Sequence, residues 1–209
     1  MKPSSLAAAL AASVPLLFAT PAGHAAVLVY EATLSGLNED PPNASPGTGW
    51  ATVTYDDVAM TMRVEAKFSG LLGTTTNAHI HCCTAAPMLG TAGVATTTPT
   101  FPGFPAGVTS GSYDMTFDLA EVASFYPAYV TSNGGTPESA TAALFAGMAD
   151  GRAYFNIHTS VYGGGEIRGF LLPASVPEPG TLALLGLGAA ALAGAASRRR
   201  RRRAEPPAR

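Results

Sequence analysis

Cationic side chains are scarce in most of this chain. Of the 12 Lys and Arg residues, six are the consecutive arginines at positions 198–203, and residues 27–175 hold only Arg63, Lys67, Arg152 and Arg168. Against these four stand 12 Asp and Glu, so the segment carries a formal charge of −8. Such a domain is a poor nucleic-acid binder, because phosphate contacts need clustered Lys and Arg. It suits cations, polar matrix material or simple solubility instead. Cysteine is scarcer still. Cys82 and Cys83 are adjacent, which excludes a staple between distant parts of the fold. Three states remain open to them: a vicinal disulfide, soft ligands beside neighbouring histidines, or two buried thiols. The familiar hydrolase and phosphate-loop motifs are missing too. There is no GxSxG, and the glycine run at 163–165 lacks the lysine and helix of a phosphate loop. Nothing repeats over a span long enough for a solenoid or propeller, and the sequence is read as that of a non-enzyme.

What is present begins with the two ends. Residues 1–26 carry one lysine, an apolar run over 6–19 and small residues at Gly23, Ala25 and Ala26. This is the pattern of a secretory signal peptide with its short helix, cut after Ala25 or Ala26, and its apolar run is too short to span a bilayer comfortably. At the other end Pro177, Glu178 and Pro179 precede an apolar segment over 181–196 and the arginine cluster. Arginines that stay in the cytoplasm make the segment a weak, transient transmembrane helix, with the domain outside and residues 204–209 as a cytoplasmic tail. The Pro-Glu-Pro motif, short span and arginine cluster over 176–203 resemble a PEP-CTERM sorting signal. The resemblance implies transient anchoring in the inner membrane of a Gram-negative bacterium and cleavage by an exosortase near the motif. Release to the cell surface or to an exopolysaccharide matrix would follow.

Between the ends, period-2 alternation dominates. Residues 27–34 and 49–55 read as strands, and Met60, Met62, Val64, Ala66 and Phe68 alternate with Thr61, Arg63, Glu65 and Lys67. That is one buried and one wet face, the mark of an antiparallel sheet. A segment over 84–107 carries Pro87, Pro99, Pro102 and Pro105, a density that forbids a central strand. It is expected as an extended loop laid over the domain by Phe101 and Phe104. Residues 112–119 read as a strand with Tyr113, Met115, Phe117 and Leu119 inward, and the stretch around Phe125, Tyr126 and Tyr129 is ambiguous. One interior helix is expected after a Thr136 cap, with Pro137 and Glu138 in its first turn and a stop at Gly151. Asp56 and Asp57 read as turn residues. The fold class is therefore mainly β: an antiparallel β-sandwich or partly closed barrel with one short helix.

Three of the four histidines fall in two strand-like segments, residues 78–83 (AHIHCC) and 154–172 (YFNIHTSVYGGGEIRGFLL). Ile80 flanked by His79 and His81, and Ile157 beside His158, put the imidazoles on the face that isoleucine leaves free. Histidines two apart on a strand lie about 6 to 7 Å apart at Cα, close enough to share an ion. His158 would be a third ligand and Glu166 a fourth, or an orienting partner for a ring, for copper or zinc, in a metal-binding or metal-dependent redox domain. The competing reading is architectural: a buried polar network in which Glu39 or Glu166 pairs Arg168, Asn156 takes part, and the imidazoles cap loop carbonyls. A recognition surface for sugar or protein is the third.

Residues 27–172 as a whole resemble a CHRD domain, the module named for its occurrence in chordin. The resemblance rests on Ala32, Leu34, Ser35 and Gly36, then Glu39 with Pro41 and Pro42, the AHIH of 78–81, and Asn156, His158, Thr159, Gly165, Glu166, Ile167, Arg168 and Gly169. It implies a secreted immunoglobulin-like or related β domain with extracellular binding and no enzymatic role. Where the family often has glycine after HIH, this chain has Cys82 and Cys83.

Overall fold

The computed structural model describes residues 27–174. The expected signal peptide (1–26), sorting segment (176–203) and tail (204–209) lie outside them. Eight strands form one antiparallel sheet: β1 (Val27–Ser35), β2 (Thr48–Asp56), β3 (Thr61–Ser69), β4 (Thr75–His81), β5 (Gly111–Asp118), β6 (Tyr154–Thr159), β7 (Ile167–Phe170) and β8 (Leu172–Pro173). Their order is β4-β6-β7-β1-β2-β3-β5, with β8 added beside β1. The sheet curls into a half-barrel, so of the two architectures open to the sequence this chain adopts the partly closed barrel.

Alternation explains the curl. Tyr30, Ala32 and Leu34 of β1, Ala51 and Val53 of β2, and Met62, Val64, Ala66 and Phe68 of β3 all point inward and are buried. The register is unbroken from Val27↔Asp56 to Ser35↔Thr48, so the inward rows line up across strands. Ala78 and Ile80 of β4 and Phe155 and Ile157 of β6 continue the core to the other side. Phe101, wholly buried, and Phe104 plug the middle and pack on Tyr113 and Phe155. The proline-rich segment thus enters the core through its aromatic rings, as the sequence suggests.

That segment also covers an edge. The free side of β4 would expose N–H and C=O groups to any passing strand. Instead Thr100 and Thr96 accept from the N–H of Ala78 and Ile80 through their hydroxyls, at 3.0 Å each, and Phe101 and Ala95 donate back to the carbonyls of the same residues. Threonine hydroxyls replace the ladder partner that proline could not supply.

Two helices pack on the barrel. α1 (Pro127–Ser132) occupies the ambiguous stretch and is an addition to the single helix expected, buried through Tyr129 and Val130. α2 (Pro137–Ala149) is the expected one, capped reciprocally by Thr136 and Ser139. It buries Leu144, Phe145 and Met148, and Phe145 stacks on Tyr55 at 3.8 Å. Gly147 on α2 meets Cys82 and Cys83 so closely that a Cβ there would collide with both sulfurs. Cys82 and Cys83 are joined as a vicinal disulfide in this structure, one of the three states open to the sequence.

Candidate metal centre

The outward row of β4 and β6 is where the polar residues gather. Asn77, His79 and His81 of β4 pair with His158, Asn156 and Tyr154 of β6, and Asn156 in turn faces Arg168 of β7. On a bare sheet this row would be wet. Here the 82–107 segment, the Gly163–Gly165 turn and the loop around Glu39 cover it, and His79, His81, Asn156, His158, Glu39 and Arg168 are all buried.

Each imidazole is held by one main-chain carbonyl. His79 donates through Nε2 to Pro99 O at 2.6 Å, His81 through Nδ1 to Ala92 O at 2.9 Å, and His158 through Nδ1 to Gly163 O at 3.0 Å. A carbonyl only accepts, so the bonded nitrogen carries the proton and the other is a bare lone pair. Those other atoms, His79 Nδ1, His81 Nε2 and His158 Nε2, are buried without any partner. The three rings also lie together, and each offers a nitrogen within 4.8 Å of a nitrogen of the others. Three neutral imidazoles gathered in this way, each with one nitrogen unused by the protein, are a donor set able to hold a cation.

Electrostatics agree. Burial pushes the pKa of His81 and of His158 down to about 4, against smaller upward pulls from the carbonyls, and lowers that of His79 as well. At neutral pH all three are uncharged, the state in which imidazole ligates a metal. The carbonyls at the far nitrogens fix tautomer and ring direction, as the outer partners of ligating histidines do.

The sequence brings Glu166 forward as a fourth donor, and the structure places it elsewhere. Its carboxylate, wholly buried, accepts from Ser45 Oγ at 2.6 Å, Thr159 Oγ1 at 2.7 Å, Leu72 N at 2.5 Å and Gly73 N at 3.0 Å. Burial works to raise its pKa, but these four hydrogen bonds outweigh it and hold the group below its usual value. Both oxygens are spent on joining the loop before β2, the β3–β4 turn and the end of β6. Glu39, not Glu166, is the partner of Arg168, at 3.8 Å. Burial raises Glu39 to about 7 in spite of the guanidinium, and its Oε1 has no donor.

Arg168 links the two halves of the row. Its Nε donates to Asn38 O at 2.5 Å, and its guanidinium lies 4.6 Å from the ring centre of Tyr154. Tyr154 is stacked flat on His81, with centroids 4.8 Å apart, and its hydroxyl both donates to and accepts from Ala92 at 3.2 Å. Tyr154 therefore supports His81 from behind, a role not read from the sequence although period 2 puts it on the face of Asn156 and His158. The carbonyls of Pro99, Ala92 and Gly163 carry no sequence signal at all. Asn156 Oδ1 is buried and unpartnered beside the same cluster. Gly165, at φ +135°, keeps this space open: a Cβ there would lie 2.6 Å from the Asn156 amide and 2.8 Å from Glu39 Oε1.

Comparison with family models gives two matches: the CHRD domain over residues 30–171, and the PEP-CTERM protein-sorting motif over residues 175–202. Neither the curated proteins nor the solved structures compared with the chain give a match.

Proposed function

This chain belongs to the CHRD domain family and carries a PEP-CTERM sorting motif, and on that premise we propose that it is an exported surface or matrix protein whose domain holds one copper or zinc ion between His79, His81 and His158. The sorting motif implies export, sorting to the cell surface and processing by an exosortase. Transient anchoring in the inner membrane, cleavage near Pro177, Glu178 and Pro179, and an exopolysaccharide or other matrix partner are the finer parts of the proposal. Among the described residues no helix is long and apolar enough to cross a membrane.

One observation carries the metal reading: three buried, carbonyl-anchored imidazoles each leave one nitrogen bare, and the three rings bring nitrogens within 4.8 Å of one another. The architectural reading accounts for the carbonyl caps but uses only one nitrogen of each ring. A bound ion would supply the positive charge that satisfies all three lone pairs at once. The chain's own contribution is to aim the rings, through Pro99, Ala92 and Gly163, and to keep them deprotonated by burial.

The domain is read as a binding module and not as a catalyst. Ser45 and Thr159, the hydroxyls beside the buried carboxylate, share Glu166 with the N–H groups of Leu72 and Gly73 in a closed staple between three segments. Elemental analysis of the exported, purified protein tests the site. Near-stoichiometric copper or zinc is expected in the parent and none in His79→Ala/His81→Ala; a metal-free parent would sink the reading. Intact mass of the surface-released product tests the processing, since it should end near the Pro-Glu-Pro motif. A product that still carries the arginines of 198–203 would contradict it.

A further inference from the structure

The outward row does not end at the histidines. Beyond Tyr154 it continues through Arg168 and Phe170 of β7 and Glu31 and Thr33 of β1 to Trp50 and Thr52 of β2, and here the covering loops stop. They leave an open groove of ≈ 810 Å³ along the sheet. Trp50, 46% exposed, forms part of its lining, with Leu37 from the turn after β1 and Met88 and Leu89 from the 82–107 segment as exposed neighbours. Large apolar side chains brought together in a concave surface mark a place where something binds.

The charge of the groove narrows what that is. Glu31, Glu39 and Asp40 line it, and the one cation among the lining residues, Arg168, is already engaged by Asn38 O, Glu39 and the Tyr154 ring. With Arg168 offset by Glu39, Glu31 and Asp40 leave the surface negative. A polyanion is repelled, whereas an ammonium is attracted by the carboxylates and by the face of Trp50. The backbone narrows it further. The strands beneath, β7, β1 and β2, each have neighbours on both sides, so an extended peptide finds no free ladder to join. The sheet beneath offers a ligand no free strand edge, so the groove's side chains, Trp50 and the carboxylates among them, are what it meets.

We propose that this groove binds an oligosaccharide strand carrying free amino groups, with a sugar ring on Trp50 and its ammonium groups beside the exposed carboxylates of Glu31 and Asp40. This deepens the surface-delivery reading and rests on it only for the ligand lying outside the cell. Isothermal titration of the exported, purified protein with a hexamer of β-1,4-linked glucosamine is the test. Saturable binding is expected, weakened about tenfold or more by Trp50→Ala and by a smaller factor by Glu31→Gln; both changes are at exposed positions. The N-acetylated hexamer should bind more weakly. Absence of binding by the parent, undiminished binding by both variants, or equally tight binding of hexalysine, which would point to a basic peptide, each overturns the proposal. Metal content and the mass of the released product are measured separately. Failure here with both intact would remove the groove assignment and leave the delivery reading standing.

Discussion

Two buried polar clusters lie a few residues apart on β6 and its following turn, and they are built in opposite ways. Around Glu166 every lone pair finds a donor: two hydroxyls and two amides meet one carboxylate, and three separate segments are tied together. Around His79, His81 and His158 each ring is satisfied on one side and bare on the other. Both clusters are buried. A closed network is what a fold needs to hold itself together. An open one leaves acceptors for which the fold itself provides no donor, and on that feature the metal proposal rests.

The comparison breaks most visibly at Glu166. Glu166→Ala strands the N–H groups of Leu72 and Gly73 and two hydroxyls, and at 1–3 kcal/mol for each buried group left unmade the loss should reach about 3 kcal/mol or more. Urea unfolding of metal-free protein checks this, and a loss under about 1 kcal/mol, the worth of a single ordinary hydrogen bond, would mean the staple is not structural.

Acid separates the clusters by window. The folded-state pKa values of His81 and His158, about 4, lie below the ordinary 6.5, so the unfolded chain takes up more protons between those values and metal-free stability falls as pH drops from 6.5 to 4. Glu166 is depressed from 4.5, so its contribution is present above that value and is lost only as pH falls below it. Glu39 works in the opposite sense: raised to about 7, it takes up protons in the folded state first and adds stability as pH falls from 7 to 4.5. Unfolding of the parent and of Glu39→Gln at a series of pH values should show a steeper decline between 6.5 and 4.5 in the variant. Equal slopes would mean that Glu39 does not titrate as its burial implies.

The smallest expected effect is at the border between the clusters. Gly165→Ala puts a methyl against Asn156 and Glu39 at a positive φ, for a cost of about 1–3 kcal/mol. Thermal unfolding should register it, and a stabilised variant would show that the space beside Asn156 is slack.

Much of the fold is legible in residue order. The alternation from Met60 to Phe68 predicts β3 and its inward face, Thr136 with Pro137 predicts the start of α2, and Phe101 and Phe104 predict how the proline-rich segment is pinned. The short α1 escapes because its six residues are too few to show a helical period. Of the site, period 2 places His79, His81, Asn156 and His158 on one face and would have placed Tyr154 there too. It misplaces Glu166, which has the parity of Arg168 but sits before β7 begins, where the turn sends its carboxylate toward Ser45 and Leu72.

The sequence by itself determined which residues alternate, which face of each strand is apolar, and the presence of the sorting motif, because these are properties of neighbours along the chain. Tertiary structure alone decided which buried polar groups end up satisfied. Ser45 reaches Glu166 across 121 residues, and Pro99 reaches His79 across 20, so those pairings depend on register and loop path. A side chain's period says which way it points; only the folded neighbours say whether a partner is waiting there.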